Sequence, residues 1–265
     1  MASVMPELPE VEQARRYLEK NALNRPIQSV EVLDGGVLQK VDAGAFQIGL
    51  IGRSMTTVGR QGKQMFIGLD DGSFLTIHLG MTGDLIIDED GSAPRFTRIA
   101  LHFAGGMSLF YLDQRKFGAV GLIGSVDKFV AEHRLGPDAL CINRSEFIER
   151  TSSRRKAIKS VLLDQAVLSG IGNLYADEAL FQAKIHPETR ADTISRKKMA
   201  DLHRHIGRIL RISIAASSDF DALPDGYLLK NREEGAECPR GNGPLAMTKV
   251  GGRTTIYCPR CQRLD

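Results

Sequence analysis

Apolar residues Val11, Ala14, Tyr17 and Leu18 fall at helical spacing and predict an amphipathic helix over residues 9–24. From Ile27 to about Gly124 the pattern tightens into short β-rich runs, at residues 29–33, 65–69, 74–79, 98–103 and 108–112. Asp70-Asp71-Gly72 and Ala104-Gly105-Gly106 have the composition of hairpin turns. The first half therefore reads as antiparallel β, folded as a sandwich behind a leading helix. Residues 128–144, with His133-Arg134-Leu135-Gly136-Pro137, read as a linker into a helical second half. There Ser145, with Glu149 nearby, can open a helix, residues 154–163 continue helical, and residues 194–216 form a long helix. That last helix carries six basic residues between Arg196 and Arg211. Residues 217–225 read as a loop, and the end of the chain as a turn-rich β pair, residues 247–250 with 254–257.

Composition narrows the class. A chain of 265 residues with 42% apolar and 25% charged content can bury a real core in one or two domains. Its 35 basic and 32 acidic residues leave only +3, so a nucleic-acid footprint must come from local clustering. No apolar run reaches membrane-spanning length and the start lacks a signal-peptide core, which predicts a cytoplasmic protein with no membrane partner. Three of its four cysteines crowd near the C-terminus, a pattern that suits a metal site better than a disulfide framework in that compartment.

Three stretches carry chemistry. In Met5-Pro6-Glu7-Leu8-Pro9-Glu10-Val11-Glu12, removal of the residues before Pro6 leaves a secondary amine able to attack an electrophilic carbon. Glu7 is then the nearest proton donor. Alone, the octapeptide also reads as an ordinary acidic helix start. Ser169-Gly170-Ile171-Gly172-Asn173 leads into a helix, and such turns can present backbone N–H groups to a phosphate or merely let helices pack closely. Cys238-Pro239-Arg240-Gly241 is followed sixteen residues later by Cys258-Pro259-Arg260-Cys261.

MPELPEVE resembles the start of the formamidopyrimidine-DNA glycosylases, the Fpg/Nei family of base-excision repair enzymes. Four further stretches are similar to that family in the same order: His78-Leu79-Gly80-Met81-Thr82-Gly83, Asp113-Gln114-Arg115-Lys116-Phe117-Gly118, the Gly170–Asn173 turn with its flanks, and the cysteine pair. The resemblance implies an α+β multidomain protein. Residues 6–127 form a catalytic β-sandwich after an extension at 1–5. Residues 145–230 form a helix-two-turn-helix domain, and 231–265 a zinc-finger-like β-hairpin, with damaged duplex DNA between the domains.

It also implies roles. Pro6 is the nucleophile, Glu7 the acid, Glu10 a site organiser, and Lys63 a catalytic-site lysine on the phosphate beside the lesion. Met81 fills the gap left by the extruded base, Arg115 pairs with the orphaned base, and Phe117 wedges the stack. Lys159, Asn173 and Arg253 hold phosphates. The family's zinc site has four cysteines; here Cys238, Cys258 and Cys261 remain and Gly241 stands at the fourth position. Zinc is therefore expected to be weakly held or absent. The implied activity is a monomeric glycosylase and AP lyase for oxidised purines, formamidopyrimidines first. Residues 217–237 look shorter than the family's lesion-capping loop, which weakens the case for 8-oxoguanine. The alternatives are a Nei-like enzyme for oxidised pyrimidines, and a catalytically silent binder of damaged DNA if residues 1–5 persist.

Overall fold

The computed structural model describes residues 6–89 and 92–264. The expected extension at 1–5 lies outside them. Two compact units emerge: residue 6 with residues 10–133, and residues 7–9 with the chain from Arg134 onward.

α1 (Leu8–Asn21) belongs to the first unit from Glu10 onward, and Pro9 occupies its first turn, a position that needs no N–H donor. Eight strands follow: β1 (Ile27–Val32), β2 (Met55–Gln61), β3 (Gln64–Leu69), β4 (Phe74–His78), β5 (Gly83–Asp88), β6 (Thr97–Phe103), β7 (Ser108–Asp113) and β8 (Ala119–Ile123). They pair antiparallel into two four-stranded sheets, ordered β1-β6-β7-β5 and β2-β3-β4-β8. One core joins the sheets, from Val11 and Leu18 of α1 to Met65, Ile77, Leu101 and Leu109. The structure departs from the pattern-based expectation at α2 (Ala43–Leu50). Asp42 accepts from Ala45 N, and Phe46 and Leu50, four residues apart, are the buried face. The unit ends with α3 (Val126–Glu132), capped by Ser125 and lying where a linker was expected.

In the second unit α4 (Arg144–Ser152) is capped by Asn143, not Ser145: Asn143 Oδ1 accepts from Glu146 N and from the Ser145 hydroxyl. The helix expected over 154–163 is interrupted, and α5 spans only Ile158–Leu163. Then come α6 (Asn173–Ala183), the long α7 (Arg196–Ala215), and the hairpin β9 (Ala246–Val250) with β10 (Arg253–Tyr257). Leu162, Tyr175, Leu180, Leu202 and Leu210 anchor its main core, while Phe181, Leu228, Leu245 and Ile256 form a smaller one under the hairpin. Among the described residues, no helix is long and apolar enough to cross a membrane.

Glu178 of α6 is fully buried, accepting from Gln182 Nε2 at 2.7 Å and Leu229 N at 2.8 Å. Burial lifts its carboxyl from 4.5 to about 7, despite these donors. An acid whose pKa is raised on folding loses stability as the unfolded form ionises, so the penalty grows between about pH 4.5 and 7. It levels off near 3 kcal/mol by the order-of-magnitude linkage of about 1.4 kcal/mol per unit. Urea titrations at pH 5 and 8 should show the chain weaker at pH 8, and Glu178→Gln should shrink that difference.

Candidate functional site

In the first unit Pro6 is buried and lines an open cavity of about 440 Å³ with Glu10, Gln13, Tyr17, Thr82 and Asp84. Tyr17 Oη accepts from Ile87 N at 3.0 Å, which ties α1 to the cavity's far wall. Lys63 sits half-buried on the β2–β3 turn. Arg60 fixes that turn: Nη1 donates to Gly62 O at 2.8 Å and Nε to Glu12 Oε2 at 3.1 Å. Burial works against the Glu12 carboxylate, yet Arg15, Arg16 and Arg60 together hold it below the usual range. Desolvation of the His78 ring, helped by Lys63, pushes its pKa down. A neutral ring suits its contact, in which Nδ1 accepts from Gly80 N at 3.1 Å.

The base-replacing residues are placed by one buried acid. Asp113 is fully buried; Oδ1 accepts from Thr82 Oγ1 at 2.6 Å and Arg115 N at 3.2 Å, and Oδ2 from Gly118 N at 2.7 Å. It thereby locks the loop bearing Arg115 and Phe117 to the turn bearing Met81. Gly80 completes the fit. Its φ is +64°, and a Cβ there would lie 2.4 Å from Gly118 N. Phe117 stands 58% exposed with the Arg115 guanidinium 5.0 Å from its ring centre, and Met81 is half-buried. An exposed aromatic beside cations has no use for core packing.

In the second unit Glu7 is fully buried at the N-terminus of α6. Its carboxylate accepts from Gly172 N at 2.7 Å, Leu174 N at 2.9 Å and Tyr175 N at 3.5 Å. Of the two uses open to the glycine turn, the N–H groups of Gly172, Leu174 and Tyr175 do not serve a phosphate: an internal carboxylate takes them. Both oxygens of the Glu7 carboxylate thus accept from the start of α6.

Lys159 brings a correction. It is fully buried, with Nζ 2.6 Å from Asp177 Oδ1 and donating to Thr254 O and Thr255 Oγ1, so it meets no phosphate. Burial pushes its ammonium below an ordinary lysine, and Asp177 acts the other way. Asn173 is half-buried and turns its Nδ2 to Thr254 O at 2.9 Å. Arg253 is exposed beside the tight turn at Gly251 and Gly252, whose φ values of +57° and +74° suit a hairpin.

The Sγ atoms of Cys238, Cys258 and Cys261 lie within 4.8 Å of one another, the convergence a thiophilic ion such as zinc needs. The fourth position is Gly241, at φ +67° with open space where a Cβ would stand. The set fits three-thiolate ligation with an open position and not a closed four-thiolate site. Other contacts hold the hairpin's base. Arg240 donates to Phe181 O and Gln182 Oε1 at 3.0 Å each, and its guanidinium stacks 4.2 Å from the Phe181 ring centre. Buried Gln262 donates to Ile185 O and accepts from Cys258 N.

Sequence reasoning missed Asp113, Asp177, Arg232 and Arg240 as site builders. The signal for Asp177 was an acid within the apolar run of α6; Asp113 and Arg240 lay inside quoted motifs.

Two measurements check this geometry. Asp113→Ala strands three donors, so it should cost roughly 3 kcal/mol in urea unfolding and speed hydrogen exchange at Arg115 and Gly118. Gly241→Cys should raise chelator-resistant zinc toward one per chain by metal analysis, while destabilising the metal-free chain by roughly 1–2 kcal/mol, the cost of a side chain at positive φ.

Residues 5–120 match the pattern of the formamidopyrimidine-DNA glycosylase N-terminal domain, and residues 135–221 that of the formamidopyrimidine-DNA glycosylase H2TH domain. The formamidopyrimidine-DNA glycosylase of Pelotomaculum thermopropionicum is 36% identical, covering 98% of this chain and 100% of that one. That of Arabidopsis thaliana is 32% identical, covering 98% and 71%. The solved Lactococcus lactis formamidopyrimidine-DNA glycosylase, non-covalently bound to DNA containing an AP site, superposes with a TM-score of 0.88 at 30% identity, over 97% of this chain and all of that one. By sequence and by fold, the chain belongs to the formamidopyrimidine-DNA glycosylase family.

Proposed function

We propose that this protein is a bifunctional base-excision-repair glycosylase and AP lyase that removes oxidised purines from duplex DNA. The observation that carries this reading is Pro6, one residue before a buried carboxylate and lining an open cavity large enough for a nucleotide. Solved relatives hold DNA with an abasic site, carbocyclic 8-oxo-G and N7-benzyl-Fapy-dG, which supports the same substrate class here.

The chemistry follows from the residues. The Pro6 amine bonds to C1′ of the damaged nucleotide as the glycosidic bond breaks, and the base leaves with the bonding pair and takes a proton from water. The proton shed by the amine passes to Glu7, which the α6 N–H groups keep ready to accept it, and then to O4′. Ring opening leaves an iminium, and two eliminations release the phosphates on either side. Extrusion of the base costs a few kcal/mol of stacking and pairing, and Met81, Arg115 and Phe117 occupy the space it leaves. Lys63 and Arg253 supply cations to the backbone. Residues 6–127 make the catalytic part, 128–144 the connection, and 145–230 with 231–265 the DNA-gripping part. The protein acts as a cytoplasmic monomer.

All of this requires Pro6 to be N-terminal, because an acylated proline nitrogen has no basic lone pair. Borohydride should trap the protein on abasic-site DNA, with intact mass showing a chain that starts at Pro6. Trapping by a form that retains residues 1–5 would assign the nucleophile to another amine. No trapping by a chain that starts at Pro6 would leave a silent binder.

A further inference from the structure

The hairpin's tip and its base are held by different means. The cysteines lie at the base, while Arg253 stands at the tip, where a cluster of polar groups converges. Thr254 O accepts from Lys159 Nζ at 3.0 Å, Asn173 Nδ2 at 2.9 Å and Arg232 Nη2 at 3.2 Å. Behind these donors lies Asp177, fully buried. Its Oδ1 faces Lys159 Nζ as an ion pair, while Lys159 directs its hydrogen bonds at the hairpin. Its Oδ2 takes the Arg232 guanidinium through Nη2 at 2.6 Å and Nε at 3.0 Å, and accepts from Ile256 N at 3.1 Å. A buried carboxylate with two cations and a backbone N–H tolerates little displacement, since each unmade contact strands a charge.

We propose that Asp177 is a positioning residue for DNA binding: with Lys159, Arg232 and the Thr254 carbonyl it forms a metal-independent clasp that fixes the hairpin tip and so aims Arg253. The clasp draws on α5, α6, the segment after Leu229 and β10, so the tip is referred to three separate pieces of the helical unit. Arg253 is the residue next to the clasped carbonyl. Freedom at Thr254 passes directly into the direction of the Arg253 side chain. The proposal rests on the DNA-binding reading above only for what Arg253 grips; the clasp itself is tested without DNA.

The experiment compares Asp177→Asn, Arg253→Ala and the double variant. Hydrogen exchange at Thr255 and Ile256 reads the clasp, and affinity for a duplex bearing a tetrahydrofuran abasic analogue reads Arg253. Asp177→Asn should speed exchange at Ile256 and weaken binding roughly tenfold, about the loss of one charge-assisted contact. In the Arg253→Ala background the same change should cost less than twofold, because the residue it aims is gone. Full multiplication of the two losses would show that Asp177 acts elsewhere and overturn the proposal. So would unchanged exchange at Ile256. Should Asp177→Asn fail to fold, Arg232→Gln and Arg232→Lys carry the same cycle, with lysine restoring part of what glutamine loses. The wild-type chain should keep its slow exchange in EDTA; loosening there would give the tip to a metal instead. A wild-type chain with a sound clasp and no affinity for the duplex would instead count against the functional reading.

Discussion

A carboxylate removed from water must find donors, and Glu7 finds them in the first turn of α6. Gly172, Leu174 and Tyr175 would otherwise leave their N–H groups to solvent, as helix starts do. One trans peptide separates Glu7 from Pro6, so this carboxylate and the proposed nucleophile lie about 3.8 Å apart at Cα. The same contact explains why a glycine turn suits the helix start: a carboxylate approaches the backbone there at close range.

The pattern recurs. Glu7, Glu12, Asp113 and Asp177 are all buried, and each gathers N–H groups or arginines from separate segments. The groups proposed to meet DNA, Lys63, Arg115, Phe117 and Arg253, are each the exposed or half-exposed neighbours of one of these anchors. Buried acids, with Lys159 and Arg60 buried beside two of them, hold the frame, while the exposed cations are left for a partner, so the two sets can be altered with some independence.

Much of this was legible. The leading helix, five of the eight strands, the long α7 and the terminal hairpin followed from apolar spacing, because their burial follows a simple period. β5 and β8, whose burial does not alternate along their length, and β2 with its largely polar outer face, gave weak periodic signals. The motifs named the residues of the candidate site, yet the surroundings of Lys159 and of the Gly172 turn came out differently. Sequence names a cation or an N–H group; it does not say whether an internal acid has already claimed it. Asp177 and Glu7 are far from these partners in sequence, and only folding brings them together.

Gly241 sets the terms on which a fourth thiol could stand in this finger. At φ +67° any side chain is strained, and a cysteine there is repaid only while a bound ion draws on its thiolate. Arg240, Gln262 and the apolar cluster hold the hairpin's base through contacts that do not pass through an ion. Without an ion glycine is the relaxed choice at this position, so affinity for a metal and stability of the metal-free chain pull on the residue there in opposite directions.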